Sequence, residues 1–348
     1  MDPLADLLRD SATKLFAQHV SPTLALAAEA GTWPGAAWAA LAEAGLPLAL
    51  VAEARGGAGI PIPDALGLLR VAGAHAVPLP LAETMLAAWL LDAAGLAVPE
   101  GPLTIGPVLA GERIALTRRR GGWHVRGEIT RIPWAARAAA LVLLAEADGA
   151  TRVVLVPAGA FHADPGRNLA GEPRDTLRLD TDAAATAPVA LPAEAVLLMG
   201  AAMRTQQIAG ALGAISGIAV QYAQDRSQFG RPIGRFQAVQ QNLAVLAAQA
   251  AAASAAAGMA AEAAAELRVL PIAAAKARAG EAAGIGAAIA HQALGAIGFT
   301  REHRLHLLTR RLWSWRDEFG AEAAWNARLG AALTAAGADG VWAALTAA

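Results

Sequence analysis

Apolar positions along the chain change period twice. At the start, Leu4, Leu7, Leu8 and Leu15 recur at helical spacing. Trp38, Leu41 and Leu46 then lead into a Gly-rich stretch that ends a helix, and a further helix runs from Glu83 to Ala94 after Pro78 and Pro80. Near Pro99 the 3.6-residue period fades. The run GWHVRGEITRIPW alternates like a strand. ALVLLAE and TRVVLVP read as two strands joined by a tight turn at Asp148-Gly149, and TLRLD and APVAL as further short strands. From Ala193 helical periodicity returns, predicting helices at about 194–228, 236–268, 272–294, 302–317 and 322–346. Pro271 and the stretch Gly295–Gly298 mark two of the boundaries. The pattern predicts a multidomain α+β chain: an all-α N-terminal domain over 1–98, a small β domain over 99–192, and a C-terminal helical bundle over 193–348.

One stretch in the last part organises the rest. Ile208, Leu212, Ile215, Ala219 and Tyr222 form one apolar stripe, and Arg226 falls one turn beyond. Gly230 and Pro232 stop that helix, and periodicity resumes at Phe236, Val239, Leu243 and Leu246. The expectation is a helix hairpin with Arg226, Gln228 and Phe229 at its bend. A guanidinium that can pair bidentately with phosphate, an amide and an aromatic ring suit a phosphate-bearing planar cofactor.

Composition narrows the choices. Hydrophobic residues are 56% and charged residues 16% of 348, much of the apolar share being alanine. A net charge of −1 gives no case for nucleic acid or an anionic membrane surface. The absence of cysteine excludes disulfides, thiolate metal sites and a Cys nucleophile, and makes the cytoplasm the natural compartment. The N-terminus, MDPLADLLRDSATKLF, lacks a basic segment before an apolar run and is not a signal peptide. Leu243 to Ala265 is the most apolar candidate for a span, but it is mostly alanine and carries Gln249 and Glu262, so a bundle helix is expected and no membrane span. His303 and His306 stand at i, i+3 without further ligands at suitable spacing, so no metal is expected. Gly56, Gly57 and Gly59 do not form a nucleotide-binding fingerprint, and no G-x-S-x-G or P-loop is present.

The run Y-A-x-x-R-x-Q-F-G-R-P-I-x-x-F-Q-x-V-Q, Tyr222 to Gln240, resembles the signature of the acyl-CoA dehydrogenase family of flavoproteins. HQALGAIGFT, His291 to Thr300, is similar to that family's Q-x-x-G-G-x-G-[YF] turn, with Ala296 at the second glycine. The resemblance implies an N-terminal all-α domain, a middle β-barrel-like domain and a C-terminal four-helix bundle. It implies FAD as cofactor, an acyl-CoA substrate and an electron-transferring flavoprotein as acceptor. It also implies a homo-oligomer or a paralogous subunit, because the cofactor residues meet a neighbour's FAD. Carried over, Arg226, Gln228, Phe229, Gln292 and Gly295 bind FAD. The α,β-dehydrogenation needs a carboxylate to take the α proton. The family's Glu before Gly-Thr falls on Phe319 by gapless counting, and Glu318 is one residue early. Glu318 is the candidate base, with Asp317 behind it; its structural role would be an ion pair with Arg311 on one charged face. The second family location for a base falls on Gly200 and Ala201, which cannot serve. A T-E-P-x-x-G-S-D segment, which in the family binds flavin and substrate, is missing between Ala94 and Arg118, and Arg131-Ile132-Pro133-Trp134-Ala135 replaces a W-I-T strand. Two alternatives therefore stand beside the enzyme: a non-catalytic subunit that completes a partner's FAD site, and a cofactor-free helical scaffold.

Overall fold

The computed structural model describes residues 3–346. Helices α1 (Pro3–His19), α2 (Pro22–Glu29), α3 (Gly35–Glu43), α4 (Ile62–Ala74) and α5 (Leu81–Ala93) precede eight strands. These are β1 (Leu103–Gly106), β2 (Ala115–Arg119), β3 (Gly122–Pro133), β4 (Ala140–Ala147), β5 (Ala150–Pro157), β6 (His162–Asp164), β7 (Arg174–Asp182) and β8 (Ala185–Pro188). Helix α6 (Ala195–Asp225) follows, then the two-residue strands β9 (Ser227–Gln228) and β10 (Arg231–Pro232). Helices α7 (Gln237–Ala264), α8 (Val269–Leu294), α9 (Leu305–Asp317) and α10 (Glu322–Thr346) close the chain. The fold is thus helical at both ends with β-sheets in the middle. Pro271, expected as a boundary, lies inside the first turn of α8. There its missing N–H costs nothing, because first-turn N–H groups have no intrahelical partner.

Two compact units draw on discontinuous stretches: Met1–Ala25, Leu66–Val77 and Ala201–Ala348 form one, and Leu26–Ala65 with Pro78–Gly200 the other. The second unit holds two four-stranded sheets, ordered β1-β4-β5-β8 and β2-β3-β7-β6. In the first sheet β1 runs parallel to β4, and the other pairs are antiparallel. The run from Ala140 to Ala145 is buried throughout, as suits a central strand covered on both faces. Strand β3 slips register against β7 between Ile129 and Ile132, where Arg131 takes a left-handed φ of 56°. That bulge bends the strand toward Trp134, whose ring meets Trp33 edge-on at 6.2 Å.

In the first unit, α4 and α6 cross at glycines. A Cβ on Gly210 would stand 1.8 Å from the Arg70 carbonyl oxygen, and one on Gly73 2.2 Å from that of Gln207. Only residues without a side chain permit this approach. It lets α4 lie directly on the stretch of α6 that carries Arg204 to Gln207, all four buried. Helices α7 and α8 pack against each other along the bundle. Both Gln237–Ala264 and Val269–Phe299 are long and apolar enough, by length and composition, to cross a membrane. Their apolarity is that of alanine, a strong helix former of little bulk.

Candidate functional site

Helix α6 stops at Asp225, three residues earlier than the periodicity predicts, because the chain turns at once into a hairpin. Gln228 pairs with Arg231, and the two residues between them, Phe229 (φ 51°) and Gly230 (φ 77°), are both left-handed. Two central residues of positive φ define the tight turn whose twist matches that of its strands. The strain at Phe229 presents its ring to solvent, 92% exposed. That ring meets Phe236 edge-on at 6.1 Å, and the Arg231 guanidinium lies over Phe236 at 4.2 Å. Gln240 donates to the Gly234 carbonyl at 3.0 Å and ties the hairpin to α7. Arg226 and Gln228 are exposed beside it.

The second candidate element begins where α8 ends. Gly295 has φ 66° and ψ −144°, a backbone open to glycine alone, and donates its N–H to the His291 carbonyl. Nothing lies within 4 Å of where a Cβ on Gly295 would stand. Gln292 and Ala296 are exposed on the same turn. Behind the turn, His291 is buried, stacked on Phe299 at 4.2 Å and on Trp313 at 5.6 Å, and shares a hydrogen bond with the Thr309 hydroxyl at 2.9 Å. Burial, and then His306 nearby, push the His291 pKa down, so the imidazole is neutral near pH 7. The turn therefore rests on a rigid, uncharged base.

These surfaces fit the phosphates and adenine of an FAD. Arg226 supplies a planar cation, Gln228 and Gln292 supply amides, Phe229 an aromatic face, and Gly295 a backbone that nothing shields. When bound, FAD supplies the acceptor for a hydride. Every one of these five residues opens to solvent, on the surface of the first unit.

Glu318 is placed differently. It caps the C-terminus of α9, followed by Phe319 (φ 53°) and Gly320 (φ 96°), both left-handed. Its carboxylate accepts from Arg204 Nε at 2.8 Å. Arg204 is 2% exposed, donates also to Gln207 Oε1 at 2.6 Å, and stacks over the Phe319 ring at 5.4 Å. Glu318 thus has an arginine from α6 as ion-pair partner, 114 residues away in sequence. Phe319, at the family's usual glutamate place, is buried. The residues that would grip a cofactor are exposed, and the candidate base is turned inward onto a buried cation.

The sequence reading did not single out Arg204 or Lys276. Lys276, on α8, is 1% exposed and donates to the Arg316 carbonyl at 2.7 Å and the Gly320 carbonyl at 2.8 Å. A run of four polar residues, Arg204 to Gln207, inside an otherwise apolar helix was the available signal for the first. Of the two histidines considered for a metal, His303 accepts the Leu305 N–H at 3.1 Å and His306 shares a hydrogen bond with the His303 carbonyl at 2.7 Å. Among the described residues no group of three or more His, Asp or Glu is placed to hold a metal.

The chain is helical, then β, then helical again, with an exposed hairpin after α6 and a glycine turn after α8. Residues 3–97 match the acyl-CoA dehydrogenase N-terminal domain and residues 192–322 the acyl-CoA dehydrogenase C-terminal domain. The chain is similar to the acyl-CoA dehydrogenase IpdE2 of Mycobacterium tuberculosis, 33% identical over 311 residues that cover 88% of this chain and 89% of that one. In structure it is similar to a chain of the ChsE4-ChsE5 complex from Mycobacterium tuberculosis, with a TM-score of 0.88 at 22% identity, covering 96% of this chain and 98% of that one. It is also similar to a chain of the steroid ACAD Tcur3481-Tcur3483, with a TM-score of 0.86 at 23% identity, covering 95% and 97%. This chain belongs to the acyl-CoA dehydrogenase family.

Proposed function

We propose that this chain is one subunit of a hetero-oligomeric, FAD-dependent acyl-CoA dehydrogenase, and that it completes an FAD site held mainly by a paralogous chain. The observation that carries the reading is the Glu318–Arg204 pair: one carboxylate oxygen is held at 2.8 Å by a buried guanidinium, whose charge favours the ionised carboxylate and so opposes its taking a proton. The other family location for a base, Gly200 and Ala201, has no carboxylate. Support comes from the exposure of Arg226, Gln228, Phe229 and Gln292, which face outward as residues that meet a neighbour's ligand must. The likeness to chains of two-component assemblies, ChsE4-ChsE5 and Tcur3481-Tcur3483, points the same way. In this reading Arg226 pairs with the pyrophosphate and Gln292 and Gly295 line the adenine end. The partner supplies the base that removes the α proton, and an electron-transferring flavoprotein takes up the electrons.

The test is to purify the chain alone and together with a paralogous chain that carries both a T-E-P-x-x-G-S-D segment and a glutamate before Gly-Thr. Alone it is expected to be colourless. Together they are expected to be yellow, and an acyl-CoA from a panel of straight-chain and steroid-ring thioesters should bleach the flavin. If the chain alone keeps about one FAD per protomer through dialysis and bleaches with acyl-CoA, it is a self-sufficient dehydrogenase and the proposal fails.

Within the loaded assembly, Arg226→Ala should weaken FAD retention. Losing a hydrogen bond to a charged group costs about 1.5–3 kcal/mol, roughly a 10- to 150-fold change in dissociation constant. Arg226→Lys should restore part of this, since an ammonium keeps the charge without the planar fork. Flavin released into the dialysate is the measurement, and equal release from wild type and Arg226→Ala would remove Arg226 from the site.

A further inference from the structure

The turn from Asp317 to Gly320 is strained and yet held from two sides. Phe319 and Gly320 are both left-handed, which ends α9 after the Glu318 N–H closes onto the Ser314 carbonyl at 3.2 Å. Trp325, on α10, donates its indole N–H to the Phe319 and Gly320 carbonyls, each at 3.1 Å. A Cβ on Gly320 would stand 2.5 Å from that nitrogen, so the indole is seated directly on the turn. From the other side, Lys276 Nζ reaches the Gly320 carbonyl and the Arg316 carbonyl, one of the last in α9. The two carbonyls bracket Glu318 in sequence.

We propose that Lys276 is a positioning residue that clamps both ends of this turn and thereby keeps the Glu318 carboxylate on Arg204. The proposal rests on the geometry of the bundle and stands whether or not the chain works as a partner subunit. An ammonium on a four-carbon stem, entering from α8, spans the two carbonyls that a capping residue within α9 could not reach together. The charged groups facing it are Glu322 on α10, Glu318 and Asp317 on the turn, all of which favour its charge, and Arg204 on α6, which opposes it. Burial outweighs the acids and brings the Lys276 pKa down to about 7. The clamp therefore changes charge near neutrality. Gly320 O accepts from both Lys276 and Trp325, so the change is felt on the turn itself.

Hydrogen exchange of the segment 316–322 in the full chain tests this. Lys276→Met should exchange there roughly tenfold faster than wild type, while segments of α7 keep their rates. After correction for intrinsic exchange, the wild-type rate should show a step near pH 7 that Lys276→Met lacks. A folded Lys276→Met with wild-type rates, or with the step intact, would overturn the proposal. Should Lys276→Met fail to fold, wild-type protein labelled with ε-13C-lysine decides. The chain has only two lysines, Lys14 and Lys276, so the Lys276 signal is resolvable. A turn whose exchange does not follow that signal's titration overturns the proposal; one that follows it supports the clamp.

Discussion

Arg204→Met is expected to lower the free energy of unfolding by about 3–5 kcal/mol, the usual cost of removing one partner from a buried ion pair. The guanidinium is 2% exposed and is held by Glu318, Gln207 and the Phe319 ring, so its loss unpairs groups from α6 and from the α9–α10 turn together. Glu318 keeps only slight access to water, with 16% of its side chain exposed. Methionine fills most of the volume, so the cost is the stranded charge and not a cavity. Replacing both partners, as Arg204→Met with Glu318→Leu, should recover much of the loss, because the desolvated charge goes as well. Urea unfolding of the wild type, both single variants and the double variant gives the coupling energy. A loss under about 1 kcal/mol in Arg204→Met, in the range of an exposed pair, would mean that Glu318 is not committed to Arg204. The main objection to Glu318 as a base in this chain would then disappear.

That pair also marks the limit of what local pattern conveys. The hairpin after α6, the turn after α8, the change from period 3.6 to period 2 near Pro99 and its return near Ala193 are all local events, written in adjacent residues. The β4–β5 hairpin is equally local: Asp148 and Gly149 both take positive φ, as the sequence Asp-Gly implies. Strands β1, β2 and β6 escaped because they are three to five residues long and take their identity from neighbours: Leu103 pairs with Ala140, and His162 with Arg178. Pro271 misled because a proline is as much at home in a first turn as it is a breaker. Glu318 was found as a carboxylate near the expected place, but its direction is set by helix packing. Gly73 and Gly210 bring α4 onto α6, and the same stretch of α6 delivers Arg204 to the end of α9. No spacing within either segment encodes that meeting. The turns that present the five candidate residues are legible because they are short and punctuated by glycine, whereas the exposure of those residues needed coordinates.

Between about pH 7 and pH 10.5 the folded chain is expected to gain stability as pH rises, by about 1.4 kcal/mol per pH unit. Lys276 is the source. Its ordinary value of 10.5 is brought down to about 7 in the fold, first by burial and against the pull of Glu322, Glu318 and Asp317. Through that window the unfolded chain holds a proton on this lysine and the folded chain does not, so raising the pH penalises the unfolded state alone. Below about pH 7 both states are charged, and the fold bears the full cost of a buried ammonium; above 10.5 neither is charged and that cost is gone. The integrated gain is on the order of 4–5 kcal/mol. Composition makes the measurement clean, because the chain has no cysteine, one tyrosine and one other lysine, Lys14. His75, His291 and His303 all have pKa values lowered from 6.5, first by burial, and so titrate below the window. Urea midpoints taken at half-unit steps from pH 6.5 to 10.5 should rise steadily in wild type and stay nearly flat in Lys276→Met. A wild-type curve that is flat or falls would place the Lys276 ammonium in an environment that solvates its charge, and would require the bundle around Arg316 and Gly320 to admit water.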